Sequence, residues 1–117
     1  MYIVKKFETN IEDARILILN GETVYVTADD RGIGKTTLIQ EISKERNIPV
    51  ISPTARLQRE RGLFKKNIFS VAEAVNMVGV FDPNQRFLVD DVSKFELDRI
   101  EAIYGNRVSG FVRADIV

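Results

Sequence analysis

The sequence contains no cysteine and no histidine. Without cysteine there is no disulfide framework and no thiol nucleophile. Without histidine, a Ser-His-Asp triad, a Cys-His pair and a histidine-based zinc site are excluded within one chain. Charge of one sign is also lacking: 17 basic residues balance 17 acidic ones. That excludes a whole-surface basic footprint for nucleic acid, though not a local patch. No apolar run approaches the roughly 18 residues that span a bilayer. Met1-Tyr2-Ile3-Val4-Lys5-Lys6 lacks the layout of a signal peptide. These absences lead us to expect a cytoplasmic protein without membrane attachment. Its chemistry must come from carboxylates, Lys, Arg, hydroxyls, backbone amides and bound ligands.

What is present fits one folded unit. The 117 residues suit a single domain over 1–117. Hydrophobic residues at 44% and charged residues at 29% are ordinary globular values, which argues against whole-chain disorder.

Local patterning predicts alternating strands and helices. Residues 2–7 suit a short edge strand. Thr9 and Glu12 fit a capping box opening a helix at about 10–19, with Ile11, Ala14 and Ile18 at helical spacing. Thr23-Val24-Tyr25-Val26-Thr27 is β-branched and aromatic, as a buried strand requires. A helix is predicted from Lys35 to Arg46, and a short strand over 49–52. Residues 53–69 are the least regular stretch, interrupted by Pro53 and Gly62. Ser70 and Glu73 form a second capping-box pattern, with Val71, Ala74, Val75 and Val78 as the apolar face. Phe87-Leu88-Val89 reads as a core strand ending in Asp90 and Asp91. Ser93 and Glu96 form a third box, opening a helix that turns Leu97, Ile100, Ile103 and Tyr104 inward. Gly105 suits its C-terminal cap, and a last strand is predicted over 108–112. This alternation predicts an α/β fold: a compact, mainly parallel sheet with flanking helices and right-handed crossovers.

The segment Ala28-Asp29-Asp30-Arg31-Gly32-Ile33-Gly34-Lys35-Thr36-Thr37 lies between a predicted strand and a predicted helix. Phosphate binding needs that context, because backbone N–H groups wrap the oxygens at a helix N-terminus. Gly32 and Gly34 allow close backbone approach. Lys35 can reach terminal phosphates, and the Thr36 hydroxyl can ligate magnesium. These residues resemble the P-loop NTPase superfamily. The stretch from Arg31 to Leu38 is similar to its AAA-type and additional-strand branch. Asp29 stands where the Walker A pattern has its first Gly, and a carboxylate there would weaken triphosphate binding. The resemblance implies a minimal P-loop fold binding ATP and Mg2+. It implies nucleotide contacts from Arg31, Gly32, Ile33, Gly34, Lys35, Thr36 and Thr37, with Lys35 also stabilising charge in catalysis.

Phe87-Leu88-Val89-Asp90-Asp91 looks like a Walker B strand. The resemblance then makes Asp90, with Thr36, a magnesium ligand. Asp91 holds the place of a water-orienting Glu, as a catalytic candidate. Its carboxylate falls about 1.5 Å short of a glutamate's, one carbon–carbon bond. Misplacement on that scale costs about a hundredfold in rate, so hydrolysis is expected to be slow. In the branch with an added strand, 108–112 would lie between the Walker A and Walker B strands. Arg113 would then end that strand as a γ-phosphate sensor, or serve as a surface arginine. Arg107 and Arg113 are both candidate donors to a neighbouring subunit's site.

Arg56, Arg59, Arg61, Lys65 and Lys66 face only Glu60 in sequence, a local charge of +4. With Phe64 and Phe69 they suggest a nucleic-acid contact; a solvated loop is the alternative. Three functions follow. The first is a Mg-ATP-binding protein, a weak ATPase or NTP-dependent switch acting with a protein partner or as a homo-oligomer. The second is a non-hydrolysing degenerate module that binds protein or nucleic acid, as a phage (viral) accessory factor would. The third is a small-molecule phosphotransferase using Arg56, Arg59 or Arg61 on the acceptor.

Overall fold

The computed structural model describes residues 11–26, 34–62, 67–77 and 79–113. The expected strand at 2–7, the Thr9 cap, Asp29, Arg31–Ile33, Phe64, Lys65, Lys66 and Val78 lie outside them.

The elements run α1 (Ile11–Leu19), β1 (Thr23–Val26), α2 (Lys35–Arg46), β2 (Val50–Ile51), α3 (Ala55–Glu60), β3 (Ile68–Phe69), α4 (Val71–Asn76), β4 (Phe87–Ser93), α5 (Lys94–Tyr104) and β5 (Val108–Arg113). The five strands form one sheet in the order β1-β5-β4-β2-β3. Every pair is parallel. The last strand in sequence thus lies between β1 and β4, the place expected for it.

Alternation along the strands separates two cores. Val24, Val26, Val50, Leu88 and Phe111 pack with Ala14, Ile18, Leu38, Ile39 and Ile42 of α1 and α2. Tyr25, Ile51, Phe87, Val89, Val108 and Val112 pack with Val71, Ala74, Leu97, Ile100 and Tyr104 of α4 and α5. The period-2 rule assigns odd and even strand positions to opposite layers, as a sheet buried on both faces demands. The Tyr104 hydroxyl donates to the Ala74 carbonyl at 2.6 Å, tying α5 to α4 inside the second layer.

Helix starts follow the sequence signals. Ser70 and Glu73 cap α4 reciprocally, and Ser93 and Glu96 cap α5 in the same way. Two expectations need correction. Residues 53–69, expected as the least regular stretch and left out of the strand–helix alternation, hold α3 and β3. Only Ala55 of α3 is buried, and β3 has two residues, so neither carries a readable period. Nor does β4 end at the acids: it runs through them to Ser93.

Candidate functional site

In an all-parallel sheet the C-terminal strand ends share one edge, and helices that follow strands begin there. Here that edge carries the ends of β1, β4 and β5 and the first turn of α2. Gly34 stands at the α2 N-cap with φ 90 and ψ 24, a left-handed conformation that suits glycine. Its carbonyl accepts the first helical bond, from the Leu38 N–H at 2.9 Å. Gly34 itself offers no side-chain cap, and the first turn of α2 contains no acid. The first N–H groups of a helix have no partner within it, so Lys35, Thr36 and Thr37 present donors to this edge. The helix dipole adds partial positive charge.

Asp90 comes to the same place from β4. It is 2% exposed. The Thr36 hydroxyl donates to its Oδ2 at 3.0 Å, joining residues 54 apart in sequence. The Asp90 carboxyl is pushed up to about 6, chiefly by burial and also by the charge of Asp91, while the Thr36 bond and Lys35 oppose the shift. A carboxylate this deeply buried is costly unless paired or bound to a cation. Together the two side chains offer hard oxygen donors, the ligand type magnesium prefers. Among the described residues, no three His, Cys, Asp or Glu side chains cluster to hold a metal by themselves. A cation held by Thr36 and Asp90 would need further ligands to complete its shell.

The structure brings Gly34, Lys35, Thr36, Thr37, Asp90 and Asp91 to one edge. Asp91 is half-buried and has a left-handed backbone, φ 60. Arg113 ends β5 on this edge, in register with Val26 of β1 and Ser93 of β4. Arg107 lies before β5, at the opposite edge. Its guanidinium donates to the Tyr104 carbonyl and to carbonyls of the 82–85 turn, and it stacks over the Tyr104 ring.

The basic residues divide. Arg59 turns inward: its Nε and Nη2 donate to the Ile68 carbonyl at 3.1 and 2.9 Å, and Nη2 also bonds Glu73. Glu73 is held below the usual carboxylate range by the Ser70 backbone N–H and by Arg59. Arg59 thus fastens α3 to β3 and α4. Arg56 and Arg61 are exposed, with Arg56 3.9 Å from Glu60.

Gly110 belongs to none of the sequence motifs above. It lies inside β5 opposite Val89, at φ 137. A Cβ there would stand 2.1 Å from the Val89 carbonyl oxygen. A lone glycine inside a strand pattern is the available signal for such a close approach.

Set against known protein families, curated proteins and solved structures, the chain matches none of them. Among the described residues, no helix is long and apolar enough to cross a membrane.

Proposed function

We propose that this chain is a P-loop protein that binds Mg-ATP and acts as a weak ATPase or nucleotide-dependent switch, together with a partner or further copies of itself. The Thr36–Asp90 hydrogen bond carries the reading. It joins a hydroxyl from the first turn of α2 to a buried acid within β4, the central strand of the parallel sheet. Few structural needs would place a costly buried carboxylate there. Binding a magnesium–phosphate group would.

In this reading the amides and dipole of α2 hold phosphate oxygens, and Lys35 neutralises the terminal phosphates. Thr36 and Asp90 supply oxygen ligands to magnesium. When bound, magnesium offsets phosphate charge and fixes the phosphate orientation. The position of β5 between β1 and β4 supports the same reading. A cytoplasmic location belongs to this proposal, since ATP and magnesium are supplied there.

A second reading is a non-hydrolysing module of the same fold that binds protein or nucleic acid. The observation in its favour is Asp91, whose place in β4 is explained by backbone geometry. A turnover rate equal to that of a Lys35→Ala control would select it. The phosphotransferase reading loses Arg59, whose guanidinium is engaged within the fold.

The test is a titration with a fluorescent ATP analogue and magnesium. Lys35→Ala should weaken binding by about thirtyfold or more, near 2 kcal/mol for a lost charge-assisted phosphate contact. Equal affinity of the two proteins would remove the phosphate site.

A further inference from the structure

Strand β4 contains one more residue than its partner needs. Val89 pairs with Gly110 and Val92 with Val112, so Asp90 and Asp91 together oppose Phe111. This is a β-bulge, and Asp91 adopts its left-handed step at φ 60. The side-chain layers show what the extra residue does. Phe87 and Val89 enter the α4–α5 core, and Leu88 enters the α1–α2 core. Strict alternation would send Asp90 toward α2, Asp91 toward α5 and Val92 toward α2 again. Instead Val92 is fully buried in the α4–α5 core. Ser93 then arrives where its hydroxyl accepts the Glu96 N–H and caps α5.

The bulge therefore lets one strand meet two demands. Asp90 reaches Thr36 on the α2 side. Two residues later the chain is already seated for α5. A regular strand would satisfy one demand at the expense of the other. Gly110 completes the device across the ladder, because only a missing Cβ leaves room for the Val89 carbonyl.

We infer that Asp91 is a positioning residue for the magnesium end of the site: its left-handed backbone, rather than its side-chain charge, aims Asp90 at Thr36. The inference rests on the Mg-nucleotide reading above. Aspartate, asparagine and glycine accept this backbone region readily, whereas a β-branched residue is an outlier there. Backbone shape and side-chain charge can therefore be separated by substitution.

The experiment compares Asp91→Asn, Asp91→Gly, Asp91→Ala and Asp91→Val with the native chain. Nucleotide affinity is measured with magnesium and with EDTA. The quantity read is the gain in affinity that magnesium confers. Asn and Gly should keep that gain within about threefold of native, and Val should cut it by about tenfold or more, given how steeply magnesium depends on ligand geometry. Affinity in EDTA should stay constant across the series, which a general loss of structure would not allow. If Val does not fold, Ala takes its place, with a smaller loss in the same direction. Equal losses in Asn and Val would make the charge the active feature and overturn the inference. A native-like gain in Val, or in Ala where Val does not fold, would overturn it as well. If the native chain binds no nucleotide, the Mg-nucleotide reading fails by itself. Ligand-free NMR then decides: the Thr36 and Asp90 side-chain resonances should move in Val, or in Ala as its substitute, and stay in Asn and Gly. Unmoved resonances in Asp91→Val, or in Asp91→Ala as its substitute, would refute the positioning role.

Discussion

Gly110→Ala should lower the unfolding free energy by about 3–5 kcal/mol, among the largest effects of a single methyl group. The added Cβ would meet the Val89 carbonyl oxygen at 2.1 Å, the Val89 nitrogen at 2.8 Å and its carbonyl carbon at 3.0 Å. All three atoms belong to backbone in the middle of the sheet, so no side chain can swing away. Gly110 also has φ 137, a region that residues with a side chain rarely occupy. Relief would require β4 and β5 to part at the bulge, breaking ladder bonds on both sides. Gly62→Ala provides the comparison. Its φ is 73, but among the described residues nothing lies within 4 Å of a new Cβ. That change should cost only about 1 kcal/mol of backbone strain. Urea unfolding of both variants separates collision from strain. Equal costs would mean that the β4–β5 approach at Val89 is not as close as described.

Asp90→Asn should raise stability relative to the native chain, and the gain should grow with pH. The folded carboxyl titrates at about 6, above its ordinary value of 3.8. The folded state therefore holds this proton more tightly than the unfolded chain. Between those two values the native state carries more proton, so native stability falls as pH rises. Below about pH 4 both states are protonated and no loss occurs. Above about pH 6 the loss is complete. A shift of about two pH units corresponds to about 3 kcal/mol. Asparagine keeps the shape and cannot ionise. The difference in unfolding free energy between variant and native chain should thus widen by about 3 kcal/mol from pH 4 to pH 7, measured in EDTA. Parallel pH profiles would show that Asp90 is not buried as a charge at this edge. The same substitution should reduce the affinity gained from magnesium. Stability and metal binding would then move in opposite directions, as expected of a group kept for function at a structural cost.

Much of this fold can be read from the residues. The helix from Lys35 to Arg46 and the caps at Ser70 and Ser93 follow from apolar spacing and capping-box chemistry, which are local signals. The pairing of Thr36 with Asp90 is legible only through resemblance, because nothing local connects residues 54 apart. Helix α3 and strand β3 were illegible for a physical reason. They are held by Arg59 bonding the Ile68 carbonyl and Glu73, and such long-range contacts leave no periodicity. That internal role also takes Arg59 out of the basic patch that a charge count suggests. The bulge at Asp91 was hidden for a related reason. Val89-Asp90-Asp91-Val92 reads equally well as a strand that stops. Only the pairing with Gly110 and Val112 shows it continuing one residue out of phase.

The most direct test of the account is an NMR titration of the native chain with Mg-ATP, followed at each backbone amide. The account predicts saturable shifts concentrated at Gly34, Lys35, Thr36 and Thr37, with a second group at Asp90 and Asp91. Saturable shifts confined to the surface around Arg56 and Arg61, or no shifts at millimolar Mg-ATP, would contradict it.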